Sequence, residues 1–306
     1  MKFELTILGS GSSIPTSNRN SAAQVLHVLG RYFLIDCAEA TQHQLRRFHV
    51  PYNKINHIFI SHLHGDHFFG LIGFLSTLSL QGRRGEMHIY AEPRLQELFG
   101  CQMKILHSRF TFPLFFHALS RREEVIYEDK VVTVTAFPLK HHYDTPVSGF
   151  LFREKERERT ILKDRTAAWN VPIAFMQYLK RGEDFITPEG EIVANELLTA
   201  RSFAYMTDTL FRERFADYVK GVDLLYHEAT YMNADAVLAK ESYHSTTGQA
   251  ARIAELAGVG KLLLGHFSAR YTECSELLAE AREVFPNTFL CSDGDLFEVP
   301  AVKRRS

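Results

Sequence analysis

The densest group of potential metal ligands lies at residues 62–67, where the sequence reads His-Leu-His-Gly-Asp-His. Three imidazoles and one carboxylate within six positions are donor types that Zn²⁺ and related divalent cations prefer. The apolar run 55–60 directly precedes them and predicts a β-strand. Because a strand ending in a loop can aim these side chains at one point, the sequence predicts a metal site here.

Further donors follow later apolar segments, at the places where predicted strands end. They are His141 and its neighbour His142 after 131–139, Asp208 after 203–206, and His266 after 261–265. Ligands of α/β structures gather at such strand ends. One histidine after a strand is more often structural than a ligand, but the joint pattern is hard to obtain by chance. Seven donors are too many for one open zinc site and suit two ions about 3.5–4 Å apart that share a carboxylate.

Strand-like and helix-like segments alternate along the chain, which predicts an α/β fold. The strands are predicted at 3–8, 23–28, 32–35, 55–60, 87–90, 131–137, 203–206, 224–227, 262–264 and 288–291, and the helices at 40–48, 71–80, 246–256 and 275–285. Each half of the chain contains both strands and helices, which predicts two sheets packed face to face with helices outside. The segment from about 153 to 201 interrupts the alternation. It opens with the charge run 153–159, which is typical of a solvated face, and it predicts an insertion or arm within a single domain spanning 1–306.

Composition restricts the class of protein. The chain is 45% hydrophobic with a formal net charge of −1, so it can bury a core, and contacts with a polyanion must come from local basic patches. The N-terminus alternates like a strand rather than a secretory signal, and no apolar run is long enough to cross a membrane. Four scattered cysteines indicate reduced thiols. We therefore expect a cytoplasmic protein that does not contact membranes.

Several motifs together resemble a known family. The segment 61–71 contains the donor cluster, 227–230 reads His-Glu-Ala-Thr, 244–246 reads His-Ser-Thr, and 265–271 reads Gly-His-Phe-Ser-Ala-Arg-Tyr. The first motif is similar to that of the metallo-β-lactamase superfamily, and the others resemble ribonuclease Z, the endonuclease family that trims the 3′ ends of tRNA precursors. The resemblance covers nearly the whole chain. It implies a four-layer αβ/βα sandwich with two mixed sheets.

The resemblance also implies roles for individual residues. It places His62, His64 and His141 on one zinc ion, Asp66, His67 and His266 on a second, and Asp208 between the two. Asp66 would also orient or deprotonate the bridging water, while Glu228 and His244 would assist the leaving group. A histidine near its neutral pKa and held by a carboxylate suits a general acid. Two Zn²⁺ ions per chain are implied, and Mn²⁺ suits the same nitrogen and oxygen donors.

The assignment of His141 leaves His142 as an alternative. Gly149-Phe150 follows later than in the family pattern, as if two residues were inserted within 142–148. The approach Phe137-Pro138-Leu139-Lys140 favours His141.

Three functions are compatible with these residues. The first, implied by the resemblance, is a zinc-dependent endoribonuclease in which a metal-bridging hydroxide removes the 3′ trailer of precursor tRNA. Such an enzyme would act as a homodimer, and Lys140, Arg201 and Arg270 are candidate phosphate contacts. The chain lacks the family's Gly-Pro element at 169–176, and its loop 198–202 is less basic. A phosphodiesterase acting on smaller esters is therefore the alternative. A scaffold without turnover is disfavoured, because it would have no need for all seven donors.

Overall fold

The computed structural model describes residues 2–107, 109–142, 144–156, 161, 163–181, 183–190, 192–193, 197–301 and 303–304. Within these residues the strands are β1 Phe3–Gly9, β2 Ala23–Val28, β3 Arg31–Ile35, β4 Ile55–Phe59, β5 Met87–Ala91, β6 Leu114–Ala118, β7 Glu124–Glu128, β8 Val132–Lys140, β9 Pro146–Glu154, β10 Phe185–Ile186, β11 Ile192–Val193, β12 Leu197–Leu198, β13 Ser202–Met206, β14 Leu224–Glu228, β15 Lys261–Gly265, β16 Thr288–Leu290, β17 Leu296–Glu298 and β18 Lys303–Arg304.

The α-helices of the same part of the chain are α1 Thr41–Arg47, α2 Gly65–Phe68, α3 Leu71–Leu80, α4 Arg94–Ile105, α5 Lys163–Ala168, α6 Met176–Arg181, α7 Ala236–Glu241, α8 Thr247–Ala257 and α9 Ser275–Val284. Short 3₁₀ turns occur at Tyr52–Lys54, Ile173–Phe175, Glu213–Val219 and Asn233–Asp235. None of the described helices is long and apolar enough to span a bilayer.

Fourteen of these strands form two large mixed sheets of seven strands each, and the other four form two short pairs, β10 with β11 and β12 with β18. The first large sheet has the order β17-β1-β2-β3-β4-β5-β6, in which β17 to β3 are antiparallel and β3 to β6 are parallel. The second has the order β16-β15-β14-β13-β9-β8-β7, with four parallel strands followed by an antiparallel meander. The predicted pair of mixed sheets is therefore confirmed.

The core lies between the two sheets, where aromatic side chains from each inner face meet. Phe59 of β4 lies 5.5 Å from Phe150 of β9 between ring centroids, and Phe33 lies 5.5 Å from Phe152. The outer faces are covered by helices, with Phe74 of α3 packing on the first sheet and Ala254 of α8 within the cluster that covers the second. Burial of these three apolar layers drives the chain into the predicted helix–sheet–sheet–helix sandwich.

The segment expected as an arm begins within β9, which extends to Glu154. Further along, Val171 and Leu179 are buried in a small cluster of their own with Phe175, Met176 and Phe185. The structure does not describe residues 157–160, 162, 182, 191 and 194–196 of this segment, so the last three residues of the charge run 153–159 lie outside the described part.

Candidate metal centre

The 62–67 motif occupies the turn from β4 into the short helix α2. The amide of Cys37 donates to the carbonyl of His67 over 2.7 Å, and the amide of Gly70 donates to the carbonyl of Cys37 over 2.9 Å. A Cβ at Gly70 would lie 1.9 Å from the Ala38 carbonyl oxygen, so only glycine permits this approach. These contacts fix the motif against the loop that follows β3.

The structure brings together all seven of the predicted donors. Their ligand atoms form two groups, each within 4.8 Å: His62, His64, His141 and Asp208 in one, and Asp66, His67 and His266 in the other. A third group of the same kind joins His244 to Asp208 and His266. The Asp208 carboxylate lies between the first two groups. Its Oδ2 is 3.6 Å from His62 Nε2, and its Oδ1 is 3.2 Å from both His67 Nε2 and His266 Nε2. One oxygen of Asp208 therefore faces each of these two groups.

The donor atoms fit divalent cations. The Nε2 atoms of His62, His67 and His266 are buried and, within the described residues, have no hydrogen-bond partner. They lie close to carboxylate oxygens but without hydrogen-bond geometry. Since a buried polar atom without a partner is costly, three such nitrogens aimed at shared carboxylates indicate a site built for positive charge. Imidazole nitrogens and carboxylates suit Zn²⁺ or Mn²⁺.

Other side-chain and backbone groups hold the second nitrogen of several donor imidazoles. Nδ1 of His67 lies 2.7 Å from the buried Asp36 carboxylate, and Nδ1 of His266 lies 3.0 Å from Thr230 Oγ1. His141 donates through Nδ1 to the Tyr243 carbonyl over 2.9 Å. Each bond fixes the ring and leaves Nε2 for a cation. Asp36 was not predicted as a site residue, although an acidic residue directly after the predicted strand 32–35 was the signal available.

Three site residues adopt the left-handed backbone region that non-glycine residues rarely occupy. Asp36, Asp208 and His266 have φ values of 54°, 35° and 58°, and each follows a strand of one of the two sheets closely. Such conformations persist where surrounding contacts over-determine them, and they concentrate at functional sites. Here they accompany carboxylate and imidazole groups that converge at one edge of the sandwich.

A histidine–glutamate pair lies beside the donors. Nδ1 of His244 is 3.0 Å from Oε1 of the fully buried Glu228, which also accepts the amides of Thr209 and Ser245. Burial disfavours the charged form of each residue, but the attraction and hydrogen bond between the two opposite charges outweigh this cost. Glu228 raises the pKa of His244 to about 9, and His244 in turn lowers the pKa of Glu228 to about 2. The imidazolium is therefore the favoured form of His244, as a proton donor requires.

The site opens into a cleft of about 440 Å³. Five of the seven donors line it, namely His64, Asp66, His141, Asp208 and His266, and His244 lines it with them. His142 also lines the cleft but is exposed, and its ring lies 5.6 Å from that of Tyr243. The donor groups thus contain His141 and not His142.

The three predicted phosphate contacts have different surroundings. Lys140 lies over the Tyr243 ring at 5.7 Å, and Arg270 lies 5.2 Å from the ring of Tyr231, a residue of the cleft wall. Arg270 also lies 3.2 Å from Asp235.

Arg201 lies away from the cleft surface. It is 3% exposed and makes a two-pronged ion pair with Glu154, at 3.0 and 2.8 Å, and it donates to the Val299 carbonyl. The prediction that Arg201 contacts phosphate is therefore wrong, because its guanidinium is used inside the protein.

Comparison with known proteins agrees with this geometry. Residues 3–169 match a family model described as Anti-Pycsar protein Apyc1. The chain is 46% identical to the ribonuclease Z of Bacteroides fragilis over 298 residues, which are 95% of this chain and 97% of that protein. It is 39% identical to the ribonuclease Z of Porphyromonas gingivalis over 297 residues, with 95% and 97% covered.

Solved structures share the fold. The short form of human tRNase Z (ELAC1) has a TM-score of 0.71 at 27% identity, covering 97% of this chain and 99% of that one. Unliganded yeast PDE1 has a TM-score of 0.60 at 12% identity, with 97% and 99% covered, which shows a common fold alone.

Proposed function

The chain belongs to the ribonuclease Z family and, over residues 3–169, to the family described as Anti-Pycsar protein Apyc1, and on this premise we propose that it is a metal-dependent endoribonuclease that removes the 3′ trailer of tRNA precursors. One observation carries the proposal. Two groups of metal-binding side chains, joined by Asp208, share an open cleft with the His244–Glu228 pair. Bound metal that activates water, together with a proton donor for the leaving group, suits the hydrolysis of a phosphodiester.

We assign the two groups to two Zn²⁺ ions, with Mn²⁺ as the other ion that fits these donors. His62, His64 and His141 would hold one ion, Asp66, His67 and His266 the other, and Asp208 would contact both. When bound, the ions would lower the pKa of water and offset negative charge on the phosphate.

The chain's own residues supply the proton transfers. The Asp66 carboxylate, which lines the cleft, would orient the attacking water and accept its proton. The His244 imidazolium, held by Glu228, would donate a proton to the departing O3′. The bond between phosphorus and O3′ breaks, leaving a 3′-hydroxyl on the tRNA and a 5′-phosphate on the trailer.

The primary test compares two substrates. A precursor tRNA with a 3′ trailer and a small chromogenic phosphodiester are each incubated with the zinc-loaded protein, and again after chelation. We expect a single cut after the discriminator nucleotide that chelation abolishes. Turnover of the small ester without any cut in the RNA would contradict the proposal.

Two variants separate the proposed roles. Asp66→Ala should abolish cleavage of both substrates while the far-ultraviolet circular dichroism stays unchanged. His244→Ala should lower kcat by about 10²–10⁴-fold, the usual contribution of a positioned general acid, while bound metal per chain remains close to wild type. An equal loss of metal and rate in His244→Ala would argue against a leaving-group role.

The choice between neighbouring histidines can be tested by metal content. His141→Ala should lose close to one ion per chain, because its Nε2 faces Asp208 at 3.8 Å. His142→Ala, the matched exposed control, should retain the wild-type metal content. The reverse result would assign the ligand to His142.

One observation favours the alternative of a phosphodiesterase for smaller esters. Arg201, one of three cations expected to bind RNA, is buried against Glu154. The chain therefore offers fewer phosphate contacts than its sequence suggests. Under this alternative, kcat/KM for the small diester would exceed that for precursor tRNA.

We further propose that the protein works in the cytoplasm as a homodimer and that the segment 153–201 is an arm of its single domain that contacts RNA. The four free cysteines support a reducing compartment, and the separate apolar cluster around Val171 and Leu179 supports a distinct arm. Light scattering after gel filtration should give twice the mass of 35.1 kDa. Deleting the part of the arm around this cluster, which leaves the buried Glu154–Arg201 pair in place, should weaken precursor tRNA binding more than turnover of the small diester.

A further inference from the structure

A second pocket adjoins the metal centre on the side of His141. It forms where the loop between β6 and β7 meets the β8–β9 hairpin, and its volume is about 140 Å³. His141 and His142 line both this pocket and the main cleft. A substrate bound at the metal centre can therefore extend directly into the second pocket.

The lining of this pocket is positively charged. Arg121 and Lys140 both contribute to it, and none of the described residues that line it is acidic. Arg121 is exposed, and within the described residues no hydrogen bond or ion pair engages its guanidinium. Hydroxyl groups of Ser120, Thr145 and Ser148 complete the lining. Cations and hydroxyls without a carboxylate suit an anion such as a phosphate group.

Local hydrogen bonds fix the pocket relative to the metal ligands. The amide of Ser120 donates to Glu124 over 3.0 Å, and the amide of Arg122 donates back to Ser120 Oγ over 3.2 Å, which defines the turn that presents Arg121. On the opposite wall, the amide of Ser148 donates over 3.0 Å to the carbonyl of Ser61, the residue before the donor motif. The distance between pocket and metal centre is therefore set by the fold.

A third pocket shares His244 with the main cleft and differs in character. Its lining is mainly apolar, with Leu210, Phe211 and Val237, and it also contains Lys240 and Gln249. Its volume of about 420 Å³ is within the roughly 300–1,000 Å³ of sites for drug-sized ligands, whereas the basic pocket is far smaller. The apolar side suits a nucleobase, and the basic side suits a phosphate.

We propose that the basic pocket binds the backbone phosphate that follows the scissile phosphate in the trailer, with Arg121 as its main contact. This rests on the proposed function. His244 protonates the O3′ that belongs to the tRNA body, so the nucleotide carrying this O3′ is placed against the apolar pocket that His244 lines. No described residue lines both this pocket and the basic pocket, so the trailer takes the basic one. The trailer then leaves the metal centre past His141, where its next phosphate meets Arg121.

The test uses precursor tRNAs with trailers of one, two and five nucleotides, because only the longer two contain this second phosphate. The variants are Arg121→Ala, Arg121→Lys and the control Arg122→Ala. Arg122 is the exposed neighbour that does not line the pocket. For the two longer trailers we expect Arg121→Ala to raise KM about fivefold over Arg122→Ala with a smaller change in kcat. The dependence of log(kcat/KM) on log[salt] should become shallower by about 0.7, the value for one contact to a single strand.

Further outcomes locate the contact. Arg121→Lys should recover most of the loss, and the difference between Arg121→Ala and Arg122→Ala should vanish with the one-nucleotide trailer. Equal KM values for the two alanine variants on every trailer would overturn the subsite while leaving the nuclease assignment intact. A penalty that persists with the one-nucleotide trailer would overturn its placement on the trailer side. Failure of the wild type to cut any of these RNAs would instead overturn the proposed function, and the subsite with it.

Discussion

Asp36 lies behind the donor groups and organises them from a distance. It is completely buried, and it accepts hydrogen bonds from the Ser61 amide and hydroxyl, at 2.7 and 2.9 Å, and from the Tyr205 hydroxyl at 2.7 Å. Nδ1 of His67 completes the set at 2.7 Å. One carboxylate therefore links the end of β3, the donor motif and β13, and it fixes which nitrogen of His67 faces the cations.

We predict that Asp36→Asn weakens metal binding by about 10–100-fold, the usual effect of removing a group that supports a ligating histidine. An amide offers one oxygen in place of two and places an NH₂ among donors. Competition with a chromogenic zinc chelator would measure the affinity. The control is Tyr205→Phe, which removes one hydrogen bond to Asp36 but leaves the contact with His67. Wild-type affinity in Asp36→Asn would show that His67 needs no support.

At this scale, sequence reasoning selected residues that the fold brings together where each followed its own apolar strand, as with Asp208 and His266. It failed for Arg201, because the partner Glu154 is 47 positions away and the burial of both depends on the packing of β9 beside β13. It missed Asp36 because a single acid after a strand is a weak signal. The partners that give Asp36 a role come from distant parts of the chain.

The start of helix α8 positions the proposed proton donor. Thr246 caps this helix by accepting the amide of Gln249, and the Gln249 side chain accepts the Thr246 amide at 3.0 Å. Because His244 is only two residues before this capping box, the cap and the Glu228 contact together determine where its imidazole lies.

We predict that Thr246→Ala lowers the free energy of unfolding by about 1 kcal/mol, as loss of an N-cap usually does, and also lowers kcat. Thr246→Ser keeps the capping hydroxyl and should retain both properties. Urea unfolding and steady-state kinetics on the same preparations would check this. A stability loss without any change in kcat would show that His244 is held by Glu228 alone.

A row of imidazoles crosses three neighbouring strands of the first sheet. The His57 ring of β4 lies 5.1 Å from the His88 ring of β5, and His88 Nδ1 lies 3.0 Å from His117 Nε2 of β6. Burial, reinforced by the positive charge of the other two, lowers the pKa of His57 to about 4. The unfolded chain, with an ordinary histidine pKa near 6.5, therefore binds more protons between pH 6.5 and 4, so acid favours unfolding over this range.

We predict that His57→Phe makes stability less sensitive to acid. Between pH 7 and 5 the variant should lose about 1 kcal/mol less free energy of unfolding than the wild type, after allowing for the partial exposure of this histidine. His43→Phe, at a histidine outside this row, is the control and should follow the wild type. Parallel loss in all three proteins would mean that His57 binds its proton equally well in the folded and unfolded chain, so that burial does not lower its pKa.

The elements themselves were predicted unevenly. Strands with both faces buried, such as β13 and β14, stand out as apolar runs, and α3 and α9 were placed within one residue of their ends. By contrast, β6 and β7 at the sheet edges are partly exposed and lack a clear pattern. Strand β9 was not predicted, because residues 142–148 were interpreted as containing an insertion of two residues. Instead, Lys140 pairs with Pro146, so the loop that carries His141 is only five residues long.

In the whole molecule, the candidate metal centre joins the two halves of the sandwich. His62, His64, Asp66 and His67 follow β4 of the first sheet, whereas His141, Asp208 and His266 follow strands of the second. Ions bound between them would therefore cross-link two sheets that also meet through apolar packing and through the hydrogen bond from Tyr205 to Asp36. Ligands that bind only the folded state stabilise it by mass action, and this linkage couples catalysis to global stability.

We predict that removing metal with a chelator lowers the Tm of the wild type by about 5–10 °C, since several kcal/mol of binding energy is lost from a domain of this size. Differential scanning calorimetry with and without the chelator would measure the shift. In Asp208→Ala, which removes the carboxylate that faces both donor groups, the shift should fall to less than half of the wild-type value. Because each protein is compared with itself, a lower starting Tm in the variant does not affect the result. An identical shift in both proteins would mean that the stabilising ions bind elsewhere. The absence of any shift would mean that metal bound at this site does not help to hold the two sheets together.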